Sequence, residues 1–372
     1  MKIVITGGGT GGHIYPGLSV GLELIEKGWK ELYIGSVDGL EAAIIPENNL
    51  NFKSVSVAPL PRKITPALLT SIIKNSKGFF QARKIIKDFN PDCILGTGGF
   101  VAGSIMLAGA TLGIPTMIHE QNVYPGVTNR LLARFVDKIA LNFADARDYF
   151  SSKVINKTVI TGNPIRRVIL DTNRETGINK LGFDSNKRTL LIFGGSQGAA
   201  SINQALSEIY NKFLNINDIQ LLHITGKKNY NKLIKDLKSK YSIDINKIDH
   251  IKVLPYLHNI EWGYAAADLI VYRAGATGLA EITAKGIPAI LIPYPHAAGD
   301  HQLYNARTMQ EHGAAEIIKE NDLTGEILYK KIFKILYDEQ QLNKMAENSK
   351  KLGQPDARAI IINEINKLVN NK

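Results

Sequence analysis

Ile3-Val4-Ile5-Thr6-Gly7-Gly8-Gly9-Thr10-Gly11-Gly12-His13 opens the chain, and Leu190-Leu191-Ile192-Phe193-Gly194-Gly195-Ser196-Gln197-Gly198 repeats its plan in the second half. Each stretch is a short apolar run, a glycine loop and then a helical pattern. Glycine lets the backbone turn with positive φ and lets a ligand approach without a Cβ in the way. The N–H groups at the start of the following helix attract anions such as phosphate. Two such stretches imply two nucleotide-binding-type α/β folds, Rossmann-like and with parallel sheets, facing one deep cleft.

Working outward, short β-branched runs alternate with helical stretches, the pattern of parallel α/β sheets. Strands are expected at 3–6, 32–34, 53–57, 93–96, 116–119 and 138–141 in the first half. In the second they are expected at 189–193, 220–225, 251–253, 269–272 and 289–292. Residues 171–188 are polar and lack a sustained period, which suits a linker. The expected division is therefore 1–163, a linker at 164–188, 189–353, and a terminal helix at 354–372 that packs back on the first domain. The apolar stretch 101–115 is shorter than the roughly 20 residues a spanning helix needs and reads as a buried helix.

With 372 residues and 44% hydrophobic content the chain is long enough for two cores. The apolar run before the first glycine loop is too short for a secretory signal of ~7–15 apolar residues, so the chain is expected to stay in the cytoplasm. The single cysteine, Cys93, excludes an internal disulfide framework, and its strand-like setting suits a buried thiol.

The formal net charge of +11 biases the chain towards anionic partners. Residues Arg62 to Lys87 carry seven basic side chains and no acidic one, interleaved with Leu68, Leu69, Ile72, Ile73, Phe79 and Phe80. Two readings are open: a patch for an anionic membrane surface, or an amphipathic helix whose apolar face packs on its own sheet. The chain has neither RNA-binding nor zinc-finger signatures, so nucleic acid is not an expected partner.

Ligands of open α/β sheets bind beyond the carboxyl ends of the strands. Gly7, Gly9 and Gly12 satisfy G-x-G-x-x-G, but Ile34-Gly35-Ser36 ends the second strand without the acidic residue that a dinucleotide site uses. His13 begins a helix beside the loop. It is either a general base acting on a hydroxyl or a histidine that only bonds a loop carbonyl. After a later strand, Arg273-Ala274-Gly275-Ala276-Thr277-Gly278-Leu279-Ala280-Glu281 enters a helix. Its N-terminus at Gly275, Ala276 and Thr277 suits a diphosphate, and Glu281 is either a ribose acceptor or a buried structural carboxylate. His296, Asp300 and His301 form no compact metal-ligand motif, and no metal or cofactor is expected.

Together, GGGTGGHIYPGLSV (7–20), HEQNVYPGVTNR (119–130), TGNPIR (161–166), GGSQGAASIN (194–203) and RAGATGLAEITAKGIPAILIPYPHAAGDHQLYNA (273–306) resemble the MurG family of N-acetylglucosaminyltransferases, in order and over nearly the whole chain. The resemblance implies a GT-B fold and metal-independent, inverting transfer. The donor would be UDP-N-acetylglucosamine and the acceptor the C4 hydroxyl of undecaprenyl-diphosphate-linked N-acetylmuramoyl pentapeptide (lipid I), giving lipid II of peptidoglycan. It further implies a peripheral enzyme on the cytoplasmic face of the membrane, with Arg62 to Lys87 as the membrane contact. Carried onto this chain, Thr10, Gly11 and Gly12 match the first donor loop, His13 the base and Asn122 the cleft asparagine. Arg166 and Ser196 match phosphate contacts, Leu257 the uracil contact, Glu281 the ribose ligand and Gln302 the sugar contact. The family usually has S-G-A-x-T before the glutamate. Ala274 and Gly278 here lack those hydroxyls, which leaves the anion to the backbone N–H groups of residues 276–278. The rival readings are a GT-B transferase with a different lipid acceptor and a catalytically silent lipid-diphosphate-binding protein.

Overall fold

The structure, a computed structural model, describes residues 1–61, 66–195 and 197–370, apart from the side chain of Asn246. Ser196, and Arg62 and Lys63 of the basic segment, lie outside the described residues. The chain forms two compact units, Met1–Ile165 with Gln354–Lys372, and Arg166–Gly353.

The first unit is built on seven parallel strands: β1 (Lys2–Thr6), β2 (Lys30–Ser36), β3 (Phe52–Val55), β4 (Cys93–Gly96), β5 (Thr116–Glu120), β6 (Lys138–Leu141) and β7 (Thr158–Ile160), in the order β3-β2-β1-β4-β5-β6-β7. Both faces of such a sheet are covered, so its central strands are apolar throughout rather than alternating; Ile3, Val4 and Ile5 are all fully buried. Val4, Ile94 and Ile118 face one way, into a core shared with Val101, Ile105 and Met106 of helix Gly99–Thr111 and with Ile86 of helix Pro66–Phe89. Ile3, Ile5 and Leu95 face the other, where helix Gly11–Glu26 brings Ile14 and Leu18 and helix Ala357–Asn370 brings Ile361 and Ile365. Ion pairs Arg358–Glu23 at 3.3 Å and Lys138–Glu364 at 3.5 Å flank the terminal helix.

The second unit has six parallel strands: β8 (Arg188–Phe193), β9 (Ile219–Ile224), β10 (Ile251–Leu254), β11 (Leu269–Tyr272), β12 (Ala289–Leu291) and β13 (Ala315–Ile317), in the order β10-β9-β8-β11-β12-β13. The three-residue edge strands β7 and β13, with a polar residue in each, were not expected from the sequence. In the region read as a linker, the polar residues hold two short helices, Arg167–Asp171 and Arg174–Leu181. Ile169, Ile178 and Leu181 are buried there, and Asn173 caps the second helix by accepting from Thr176 N at 2.9 Å.

In both sheets the winding direction reverses between the first strand and its neighbour, β1 and β4 in one unit, β8 and β11 in the other. At such switch points the loops diverge and leave a crevice at the carboxyl ends. His13, Thr97 and Gly98 follow β1 and β4; the second glycine loop and Gly275 follow β8 and β11.

Candidate functional site

The first glycine loop is less open to anions than its composition suggests. The Glu41 carboxylate is fully buried beneath it, accepting from Gly9 N at 3.2 Å and from Ser36 N at 3.0 Å. Gly8 N donates to Gly98 O at 3.3 Å. Two loop N–H groups are therefore satisfied internally, one of them by a carboxyl oxygen of Glu41 and one by a backbone carbonyl, which removes both as donors to a ligand. The Gly8 and Gly9 amides thus face inward, while Thr10 and Gly12, at the cap and first turn of helix Gly11–Glu26, are exposed and Gly11 half-buried.

His13 is half-buried in that first turn. Its Nδ1 lies 3.1 Å from Thr97 O and 3.1 Å from Gln121 Oε1. The Gln121 amide donates to Thr97 O at 2.7 Å and lies 3.1 Å from His119 Nδ1. His119 Nε2 in turn lies 2.9 Å from Gly162 O. Burial holds the His119 imidazole down to about 4, against the opposing effect of its bond to Gly162, so the ring is neutral at pH 7. Gly98 has φ +97° and passes so close that a Cβ there would sit 2.9 Å from His13 Nδ1. Asn122 is half-buried in the next position, its amide donating to Glu120 Oε1 at 3.2 Å. Glu120 also accepts from Gly126 N at 3.0 Å and Asn129 Nδ2 at 2.8 Å, which fixes the loop that presents Asn122.

In the second unit, Gly194 and Gly198 of the second loop are required by backbone crowding, and Gly195 takes a φ of +87° with open space around it. Gly198 has φ +76°, and a Cβ on it would sit 2.1 Å from Thr225 O. Glu281 lies in helix Ala276–Lys285, whose N-cap is Gly275. Its buried carboxylate is 3.6 Å from Arg166 Nη2 and accepts from the Tyr264 hydroxyl. Burial raises its pKa, and Arg166 and Tyr264 pull it back. Arg166 and Glu281, marked separately by the motif likeness as phosphate and ribose contacts, form an ion pair with each other here. Thr277 Oγ1 is buried with no hydrogen-bond partner among the described residues. Leu257 is half-buried beyond β10, and Gln302 Oε1 accepts from Tyr294 N at 3.0 Å, bracing the loop after β12. Arg273, by contrast, turns inward, pairing with Glu320 and donating to Ser201 Oγ at 3.0 Å.

The structure also accounts for the missing hydroxyl at 278. Tyr272, at the end of β11 and 7% exposed, is stacked on Phe193 at 4.5 Å, and its hydroxyl occupies the space a side chain at 278 would need. A Cβ on Gly278 would sit 2.4 Å from the Tyr272 oxygen.

On helix Pro66–Phe89 the buried positions are the small or modest Ser71, Gly78, Ala82 and Ile86, while Leu69 (64%), Ile73 (60%) and Phe80 (67%) are exposed. One face packs on the core of its own sheet through Phe79, Ile85, Ile86 and Phe89, and the other leaves Leu69, Ile72, Ile73 and Phe80 exposed. Lys74, Lys77 and Lys84 are exposed among them, and Arg83 donates to Thr111 Oγ1 at 2.8 Å. Among the described residues no helix is long and apolar enough to cross a membrane. None of their His, Cys, Asp and Glu side chains gather in threes that could hold a metal ion.

Residues 3–141 match the glycosyltransferase family 28 N-terminal domain and residues 189–360 the C-terminal domain of the same family. Over 365 residues, 98% of each chain, the sequence is 53% identical to a UDP-N-acetylglucosamine–N-acetylmuramyl-(pentapeptide) pyrophosphoryl-undecaprenol N-acetylglucosamine transferase of Halothermothrix orenii. It is 43% identical to the like-named transferase of Desulforamulus reducens, over 99% of each chain. The crystal structure of Acinetobacter baumannii MurG superposes with a TM-score of 0.78 at 27% identity, covering 98% of this chain and 99% of that one. The two parallel-sheet units have the GT-B-like architecture of that structure. The chain belongs to glycosyltransferase family 28 and, within it, to the MurG family of N-acetylglucosaminyltransferases.

Proposed function

We propose that the chain transfers N-acetylglucosamine, with inversion, from UDP-N-acetylglucosamine to the C4 hydroxyl of lipid I, forming lipid II. The observation that carries this reading is the end-to-end likeness, 53% over 365 residues, to a transferase whose name states that acceptor and sugar.

In this mechanism His13 takes the proton of the acceptor hydroxyl, the freed oxygen attacks C1 of the sugar, and the C1–O bond to UDP breaks with its electron pair leaving on the diphosphate. Glu281 holds the ribose hydroxyls, and burial beside Arg166 keeps its carboxylate oriented for them. The N–H groups of residues 276–278, at a helix N-terminus, and the Arg166 guanidinium stabilise the charge that develops on UDP. Thr10, Gly11, Gly12, Asn122 and Gln302 line the substrates, Leu257 meets the uracil, and Ser196 contacts the phosphates. The exposed basic and apolar face of helix Pro66–Phe89 holds the enzyme peripherally on the anionic inner face of the membrane, where the acceptor is anchored.

The test is incubation of the purified protein with radiolabelled UDP-N-acetylglucosamine and a lipid I analogue in chelator, with UDP-glucose and acceptor-free controls. Label transfer to the lipid from UDP-N-acetylglucosamine alone supports the reading. Rescue only by a divalent ion overturns metal independence, and no transfer under any condition with UDP-sugar binding intact overturns the proposed acceptor.

A further inference from the structure

We infer that Gln121 is a positioning residue for the transfer, its amide coupling two histidines so that His13 carries its proton on Nδ1 and its basic lone pair on Nε2. The inference rests on the reading of His13 as the base.

The argument starts from one backbone carbonyl. Thr97 O lies 2.7 Å from one terminal atom of the Gln121 amide, and a carbonyl can only accept. That atom is therefore the nitrogen, which leaves Oε1 on the other side, towards His13. The second amide hydrogen points to His119 Nδ1 at 3.1 Å, so His119 Nδ1 presents its lone pair. This agrees with the far side of that ring, where Nε2 is 2.9 Å from Gly162 O, again an acceptor only, and must hold the hydrogen. Each bond runs in one direction: His119 Nε2–H to Gly162, Gln121 N–H to His119 Nδ1, and His13 Nδ1–H to Gln121 Oε1.

His13 Nδ1 meets a second acceptor as well, Thr97 O at 3.1 Å. Two oxygens against one ring nitrogen hold its hydrogen there, and in the neutral ring the lone pair is left on Nε2. Thr97 is tied in from the other side, its hydroxyl donating to His13 O at 2.6 Å and lying 3.2 Å from Thr6 O. The carbonyl that orients Gln121 is thereby locked to the turn that carries His13. Burial keeps His119 neutral, so the lone pair that Gln121 addresses is present at working pH. The arrangement resembles the logic by which a partner on one imidazole nitrogen sets the chemistry of the other.

Long-range proton–nitrogen NMR of the protein labelled with 15N-histidine tests this directly, with His13→Ala and His119→Ala spectra for assignment. Wild-type His13 protonated on Nδ1 and His119 on Nε2 support the inference; His13 protonated on Nε2 overturns it, without any variant having to fold. In Gln121→Leu, His13 populates both tautomers and kcat falls roughly 10-fold while KM for UDP-N-acetylglucosamine stays within about twofold. A single Nδ1–H tautomer with unchanged kcat in that variant overturns the role of Gln121, because Thr97 alone then suffices. Full activity of His13→Ala overturns instead the reading of His13 as base, and leaves the tautomer measurement to be judged separately.

Discussion

Glu281→Gln separates the binding role of this carboxylate from its effect on the fold. A carboxylate accepts from both ribose hydroxyls, and each such charge-assisted bond is worth about 1.5–3 kcal/mol. An amide of the same shape offers one acceptor and one donor, so one contact is lost and UDP affinity falls about 10- to 150-fold. Stability moves the other way. Burial raises the Glu281 pKa in the folded protein above its ordinary 4.5. The protonated form therefore contributes stability that is fully present below about pH 4.5 and is lost as pH rises through the folded value. Above that window the wild type carries a desolvated charge that the amide does not, while Arg166, its side chain 43% exposed, stays solvated when its partner is neutral. Titration calorimetry with UDP, and urea unfolding followed at Trp262 in a Trp29→Phe background from pH 4 to pH 7, measure the two effects. The variant should bind UDP more weakly and gain on the wild type as pH rises. Unchanged UDP affinity refutes the ribose contact, and a stability deficit that grows with pH refutes the electrostatic argument.

Exchanging Lys74, Lys77, Arg83 and Lys84 for Gln should weaken binding to anionic vesicles, at roughly 1 kcal/mol per charge near the surface, and leave turnover of a soluble short-chain acceptor intact; co-sedimentation and the transfer assay check the two halves. Gly278→Ala should destabilise the second unit by about 1–3 kcal/mol, because its Cβ would overlap the Tyr272 hydroxyl, and the penalty should shrink when measured by urea unfolding in a Tyr272→Leu background. His223, buried between Tyr210 and Asn203, is held down to about 3 by desolvation. Its neutral form gives stability that is complete above pH 6.5 and is lost by about 1.4 kcal/mol per pH unit below it. His223→Gln should therefore flatten the acid limb of the second unit's unfolding curve.

Most strands and both loops were legible because their signal is local: short apolar runs, ending in glycine at β1 and β8, leave little choice. β7 and β13 were not: Thr158-Val159-Ile160 and Ala315-Glu316-Ile317 are three-residue edge strands with a polar residue in each, whereas the equally short β12 is apolar throughout and runs on into Ile292. The helix Arg174–Leu181 was within reach of closer reading, with Asn173 at its N-cap and Gly182 in the left-handed conformation at its end, but its polarity concealed it. Motif likeness marked Arg166 and Glu281 separately, and nothing in it announced that they pair with each other. What surrounds His13 was not visible at all: Gln121 is 108 positions away, and its role depends on which atom of an amide faces a backbone carbonyl. Likewise, nothing in the loop 273–281 announces that the side chain of Tyr272 fills the place left by Gly278, and the internal bonds to Gly98 and Glu41 remove the anion-seeking character that glycine content suggested for Gly8 and Gly9.

The helix Ala357–Asn370 places Ile361 and Ile365 in the same core as Ile3 and Ile5, so segments that lie before and after the whole second unit share one interior. On the ribosome, where amino-terminal domains generally fold first, this order is inverted. The second unit, contiguous in sequence from Arg166 to Gly353, has every residue it needs before the first unit does. The first must wait with one face of its sheet only partly covered, by helix Gly11–Glu26, until the helix after Gly353 is made, and loss of that helix would open the core that Ile361 and Ile365 share with Ile3 and Ile5.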